Sequence, residues 1–406
     1  MTRILLVCPE PLGHRQPAGI GVRYIEIARV LSTDGHDVVV MSPDGGYVDG
    51  ARSVSLTPQT IAEETSGAQM AVVQGHVAND LFAHGAAIPT VVDLYDPFIV
   101  ENLHYYGERG AEVFTHDHAT LMNSLVRGDF FLCASEAQRL FYAGLLLATG
   151  RVNPALFESD PGISSLIAIA PFGVGPNRQP SRSRENSILF GGIYDWYDPV
   201  VAIDAVGIAR RSIADLTLTF TRHPNPDITP QGRAAEALDH ARRLGYDSFI
   251  RFEPWVAYDD RGTFFDRFKL ALLTFPQSLE TDLSMRTRIY DYLWGGIPVV
   301  SSPAPGTDEI LRRYDAGCVI GANGAEAFAT EIVSILRDPA RLEQMQNGAA
   351  SFVRDHQWPR TLAPLREFAS RPRFDATKEA FAARLHVPEQ PPSILARIKR
   401  RIGGAF

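Results

Sequence analysis

Residues 278–300, SLETDLSMRTRIYDYLWGGIPVV, combine acids, two arginines and an aromatic helix in front of a buried-strand pattern. These are the groups needed to hold a phosphorylated ligand. With Asp282 or Ser284 as the cap of one helix, the N–H groups of Leu283, Ser284, Met285 and Arg286 point out of its start. A helix start favours an anion by about 0.3–1 kcal/mol when exposed and up to about 2 kcal/mol when partly buried. Arg286 adds a permanent cation able to grip phosphate oxygens in bidentate fashion. Asp291, seven residues after Ser284 and two turns along the same face, suits ribose hydroxyls. The plainer reading is a surface helix in which Asp282 is an ordinary cap. Arg288 then pairs with Asp291 for a few tenths of a kcal/mol.

Further candidates lie at the ends of apolar runs. The loop EPLGHRQPAGIGVR carries Gly19, Gly21 and Arg23, and GGIYDWYDP carries Gly191, Gly192 and Tyr194. Glycines after a strand let a backbone approach a phosphate and expose N–H groups at the next helix start. Either loop can equally be a simple tight turn. Neither is GxGxxG, and Asp44 is the only acid placed to hold a dinucleotide ribose after the first loop, so a dinucleotide reading is weakened. TRHPNP (221–226) sets Arg222 and His223 at a strand end, the arginine for phosphate and the histidine as a loop hydrogen-bonder. FEPWVAYDD (252–260) offers Trp255 and Val256 to flank a nucleobase, although a core tryptophan fits too. VVDLYDPF (91–98) brings Asp93, Tyr95 and Asp96 to a strand end, where carboxylates orient sugar hydroxyls or accept a proton. Asp96-Pro97 is also an ordinary turn starter, and His76 reads as a solvated loop residue. HExxH, GxSxG and Walker patterns are absent, which leaves zinc-protease, serine-hydrolase and P-loop chemistry without support.

Continuous apolar strands separated by amphipathic helices must position these groups. RILLVC (3–8), DVVVMS (37–42), QMAVVQ (69–74), TVVDLY (90–95), DFFLCAS (129–135) and SLIAIAPFGV (165–174) predict strands of a parallel sheet covered on both faces. A helix is expected over 22–35. GPNRQPSRSREN (175–186) reads as a linker. The alternation restarts with strands at 187–192, 216–221, 248–253, 270–275, 297–302 and 317–322, and residues 325–370 read as mostly helical. The fold class is α/β, two doubly wound Rossmann-like domains facing across a cleft: an N-terminal unit over 1–174, a second over 175–370, and a tail over 371–406. Ligands in such sheets collect at the carboxyl ends of strands, so the cleft is the expected site.

The 406 residues, 45% hydrophobic and 21% charged, with mean hydropathy −0.07, fit two globular domains. A net charge of −8 and a pI of about 5.8 argue against general nucleic-acid binding. The three cysteines, Cys8, Cys133 and Cys318, form no metal-type pair and suit a reducing compartment. The N-terminal apolar run is too short for a signal peptide and no run reaches a membrane span, so a cytoplasmic location is expected.

Taken in order, ETDLSMRTRIYDYLWGGIPVV (280–300), AGIGVRYIEIARVL (18–31), VVDLYDP (91–97), FLCASEAQR (131–139), GGIYDWYDP (191–199) and TRHPNP (221–226) resemble a GT-B glycosyltransferase of the large retaining family four. The nearest branch carries ETR-S-RTR-DYLW-G-PVV, and the resemblance spans roughly residues 1–360. It implies transfer of a sugar from a nucleotide diphosphate donor with retention. The second domain would hold the donor and the first mainly the acceptor, with no cofactor and usually no metal. By position Asp291 matches the second acid of the family's pair, on the ribose. Leu283 stands where the first acid is expected, and Glu280 or Asp282 is left to act beside the donor sugar. Tyr95 falls where the family has a first-domain histidine. Asp282 stands where the nearer branch has arginine.

SILARIKRRIGGAF (393–406) spaces Ile394, Ile398 and Ile402 four apart among basic residues. Such a helix suits the inner face of an anionic membrane and a lipid-linked acceptor, or packing on the protein. The partners expected are a nucleotide sugar and a glycan, lipid-linked or small-molecule acceptor, with no nucleic acid. A sugar-nucleotide epimerase and a non-catalytic nucleotide-sugar-binding protein remain as alternatives.

Overall fold

The computed structural model describes residues 1–13, 17–181, 184–222, 231–321 and 324–378. His223 and the basic segment 393–406 lie outside the described residues. Two parallel sheets carry the chain. The first holds seven strands, β1 (Arg3–Val7), β2 (Asp37–Ser42), β3 (Arg52–Ser55), β4 (Met70–Val73), β5 (Thr90–Asp93), β6 (Phe130–Cys133) and β7 (Ile167–Ile169), in the order β3-β2-β1-β4-β5-β6-β7. The second holds β8 (Ser187–Gly192), β9 (Thr217–Thr221), β10 (Ile250–Glu253), β11 (Leu270–Leu273), β12 (Val299–Ser301) and β13 (Gly317–Val319), in the order β10-β9-β8-β11-β12-β13. Both orders reverse direction beside their first strand, which opens a crevice at the carboxyl ends there. The predicted two-domain doubly wound fold is therefore what the chain adopts.

The Val- and Leu-rich central strands are buried along their whole length because helices cover both faces. Strand β3 has no counterpart in the sequence reading. Its segment RSVS lies at the sheet edge with no fully buried residue, so no apolar run marks it. The mostly helical reading of 325–370 holds: helices run over Ala325–Arg337, Pro339–Asp355, Trp358–Thr361 and Ala363–Ser370.

The segment 175–186 runs along the second domain, held there by Arg178 and Arg184. Arg178 pairs with Asp266 at 2.6 Å, and the buried Arg184 donates to the carbonyls of Phe268, Gly295 and Gly296. The chain then returns after its second sheet. Val174 donates its N–H to the His356 carbonyl and accepts that of Trp358, Phe368 stacks on Phe130 with ring centroids 5.0 Å apart, and Arg366 pairs with Asp34 at 2.6 Å. Arg151 and Asp375 add a buried pair at 2.6 Å. The last described residues thus pack on the first sheet's unit.

Candidate functional site

The stretch 278–300 does not form one helix. Ser278 accepts the N–H of Thr281 and caps a short helix, Leu279–Leu283. The chain then extends through Ser284–Arg286 before a second helix, Thr287–Trp294, starts with no side-chain cap. Neither Asp282, which is exposed, nor Ser284 caps that second helix. The break aims the start of the second helix into the cleft. Asp291 consequently lies one turn inside that helix, not two turns along a helix begun at Ser284.

Arg286 turns inward. Its guanidinium forms a bidentate pair with Glu280, Nη1 to Oε1 at 2.5 Å and Nη2 to Oε2 at 2.7 Å, both side chains almost fully buried. It also lies 4.9 Å from the Phe275 ring centroid. Arg288 behaves differently. It makes no ion pair among the described residues; its Nη1 donates to the carbonyls of Phe190 (3.1 Å) and Gly192 (2.6 Å), with Tyr197 4.1 Å below. Nor does Asp291 pair with Arg288. It faces Arg261 Nε at 3.3 Å, and burial raises its carboxyl above the usual range against the pull of that arginine.

These groups line a cavity of about 320 Å³ between the two sheets. From the second domain come Gly191, Gly192, Tyr194, Trp255, Val256, Met285, Arg286 and Asp291, all anticipated, joined by Arg261, Thr287 and Arg288. Gly191 adopts φ +80°, and a Cβ there would sit 2.6 Å from Tyr292 Oη, so the β8 loop needs glycine at this point. Arg222 is exposed and does not line the cavity.

The first domain contributes Gly19, Tyr95, Asp96 and Glu101. Gly19 opposes Thr287, where an added Cβ would come within 3.4 Å of Thr287 Cγ2, so two helix starts meet across the cleft. The first start is already neutralised by the chain itself. Glu10 accepts the N–H groups of Ala18 at 2.6 Å and Gly21 at 2.5 Å, which removes Gly21 as an anion donor. Asp44, the one possible ribose acid here, is consumed by the amides of Leu12, Gly13 and Gly46 and the Ser42 hydroxyl. These bonds hold its carboxyl down at about 2, against burial. The dinucleotide reading of the first unit therefore fails on occupancy.

Arg23 and Asp93 lie behind the cavity wall. Both are fully buried and paired, Nε to Oδ2 at 2.6 Å, while Arg23 also donates to the carbonyls of Ala170 and Pro171. They fix the first helix to the end of β5 and touch no space a ligand could enter. Tyr95 stands in front of them, its hydroxyl donating to the Met285 carbonyl at 3.4 Å across the cleft.

Glu101 is the acid that sequence reasoning missed. It closes the short helix Phe98–Glu101, and its carboxyl lines the cavity together with that of Asp96, near enough for each to act on the other's charge. Burial, with Glu280 and Asp93 nearby, pushes Asp96 up to about 6. Burial and Asp96 push Glu101 well above the carboxylate range. From the opposite domain Ser284 Oγ donates to Glu101 Oε1 at 3.1 Å. The five-residue spacing D-x-x-x-x-E was the available signal. Among the described residues no group of three or more histidines, cysteines or acids is placed to hold a metal, and no helix is long and apolar enough to cross a membrane.

Residues 194–338 match the family described as glycosyl transferases group 1. No curated protein matches the sequence. Among solved structures, HepE of Anabaena in complex with UDP-glucose superimposes with a TM-score of 0.65 at 15% identity, covering 90% of this chain and 98% of that one. Sucrose-phosphate synthase of Thermosynechococcus elongatus gives 0.61 at 12% identity, with 100% of both chains covered. WaaG, a glycosyltransferase involved in lipopolysaccharide biosynthesis, gives 0.58 at 15%, covering 90% and 98%. At these identities the likeness establishes the fold, which is GT-B.

Proposed function

We propose that the chain is a glycosyltransferase that moves a sugar from a nucleotide diphosphate donor to an acceptor hydroxyl with retention at the anomeric carbon. The observation that carries this reading is Arg288 beside the uncapped start of helix Thr287–Trp294, a cation without an ion pair among the described residues, lining the cavity between the two sheets. A departing nucleoside diphosphate needs such a preorganised positive site. Arg288 and the amides at Thr287 take the diphosphate, with the Gly191–Gly192 turn leaving room for it. Trp255 and Val256 flank the base, Arg261-held Asp291 accepts from the ribose, and Asp96 with Glu101 faces the sugar and the acceptor. Arg286, neutralised by Glu280, shapes the wall and does not supply the free charge. The self-capped first helix start supports a nucleotide site in the second domain and an acceptor site in the first. The match over 194–338, which contains these donor groups, supports the same reading.

The test is thermal shift against UDP-, GDP-, ADP- and dTDP-sugars, starting with UDP-glucose because HepE was solved with it. A ligand at 100 times its Kd stabilises by about 2.7 kcal/mol. The selected donor should lose about tenfold or more in affinity on Arg288→Ala, consistent with about 1.5–3 kcal/mol for a charged hydrogen bond, measured at a temperature well below the melting point of the apo variant, which itself loses the bonds to the Phe190 and Gly192 carbonyls. No shift with any nucleotide sugar sinks the reading. The anomeric configuration of the product, read by NMR, tests retention.

The Asp96–Glu101 pair also suits a sugar-nucleotide epimerase, which needs acid and base at the sugar and no acceptor. An epimerised donor without a new glycoside would decide for that chemistry.

A further inference from the structure

The loop after β8 brings two aromatic side chains to the cavity. Tyr194 and Trp196 both line it, stacked with ring centroids 5.0 Å apart and planes 12° from parallel. The loop is pinned by its other groups. Tyr197 donates its N–H to the Tyr194 carbonyl at 3.0 Å, Asp195 accepts the Arg233 N–H at 3.0 Å, and Asp198 caps the helix Pro199–Ala209. The pair reaches from one domain to the other. Tyr194 lies beside Arg288, whose guanidinium carbon is 5.6 Å from its ring centroid. Trp196 meets the ring of Tyr105, from the first domain, with centroids 6.3 Å apart. Trp196 is thus the outer ring, next to the short helices that carry Glu101.

Around this pair the first domain supplies apolar walls, among them Ile20, Val22, Pro97 and Phe172, with Tyr95, Asp96 and Glu101 as polar lining. Among the described residues the cations lining the cavity are Arg261, Arg286 and Arg288, all from the second domain. The first two already face Asp291 and Glu280. An anion on the first-domain side would meet two carboxyl groups, whereas sugar hydroxyls can donate to them. A sugar ring also offers a face of C–H groups, which packs on the negative face of an aromatic ring. A glycerol or ribitol chain has the hydroxyls without that face. Resting on the transferase reading above, we propose that the acceptor is an uncharged saccharide whose C–H face packs on the Tyr194–Trp196 pair while its hydroxyls meet Asp96 and Glu101. Trp196 is then a binding residue for the acceptor and takes no part in holding the nucleotide, which lies beyond Tyr194 at Arg288.

Saturation-transfer difference NMR on the full chain, with and without UDP, tests this. The probes are the methyl glycosides of glucose, galactose and mannose, with glucose 6-phosphate, glucuronate and ribitol as comparisons. Irradiating the protein's aromatic protons should saturate the ring C–H protons of at least one methyl glycoside and leave the comparisons weak. Trp196→Ala should abolish that transfer, and Trp196→Phe should keep part of it. In turnover with the donor selected above, Trp196→Ala should raise the acceptor KM about tenfold or more and leave donor Kd within about twofold. An equal or stronger signal from a comparison compound, no transfer to any glycoside, or an unchanged acceptor KM in Trp196→Ala overturns the proposal. Loss of donor affinity in that variant also overturns it, because the ring would then belong to the donor. Failure of the wild type to bind any nucleotide sugar would instead remove the transferase reading, and the spectra without UDP would still report whether this surface takes a sugar. Melting curves of both variants separate misfolding from either result.

Discussion

Two arginines two positions apart have opposite assignments. Arg286 meets Glu280 because the chain bends between two helices, so its charge is spent inside the wall. Arg288, with carbonyl and tyrosine partners but no ion pair among the described residues, is the one we assign to the ligand. Arg286→Ala should therefore act on stability first, since it strands a buried carboxylate, at a cost of about 3–5 kcal/mol. Adding Glu280→Gln should restore part of that loss. Urea unfolding of the single and double variants checks it, and a single variant as stable as wild type would show that the pair carries little. Sequence reasoning put the phosphate-binding role on Arg286, because its pairing with Glu280 depends on a chain bend that residue types do not announce.

At the scale of elements, the two helix starts that meet across the cleft, Gly19–Thr33 and Thr287–Trp294, differ in what fills them. Glu10 reaches from the loop after β1 to the amides of Ala18 and Gly21, while helix Thr287–Trp294 has no such carboxylate. That difference separates a helix start filled by its own chain from the one we assign to the ligand. Glu10→Ala should lower stability by about 1–2 kcal/mol through loss of the cap and leave nucleotide affinity in the second domain nearly intact. Denaturation midpoints with and without the donor measure both. A large loss of donor affinity would show that the first helix start belongs to the donor site. The acid was visible nine residues before Gly19, yet nothing in the spacing said that its side chain folds back.

Across the whole molecule, the cleft is held by a few directed contacts. Gln138, fully buried on helix Glu136–Ala148, accepts the Ala134 N–H and donates to the carbonyls of Tyr95 in its own domain and Leu283 in the other. Tyr258 donates to Glu26 at 3.0 Å on the far side of the cavity. Gln138→Ala leaves the cross-cleft carbonyl of Leu283 without this donor, at about 1–3 kcal/mol for a buried unsatisfied group. The expected result is a larger radius of gyration by small-angle scattering and faster nucleotide release. Unchanged scattering together with an unchanged release rate would mean that closure does not depend on this side chain.

The sequence by itself determined the two doubly wound sheets, most strand positions, and the cleft residues Tyr95, Asp96, Gly191, Gly192, Trp255, Val256 and Asp291. All but Asp291 follow from a local pattern, an apolar run ended by a particular residue, because strand ends are where such sheets bind ligands; Asp291 came from spacing along a helix. What tertiary structure decided is which charges remain available. Asp93 is closed off by Arg23 from seventy residues away, Arg286 by Glu280 across a bend, and the first helix start by Glu10. Glu101 enters the site because a short helix turns it toward Asp96 and a serine from the other domain meets it. A charge acts through its neighbours in space, and long-range neighbours are set by how the two sheets pack, which no stretch of residues encodes alone.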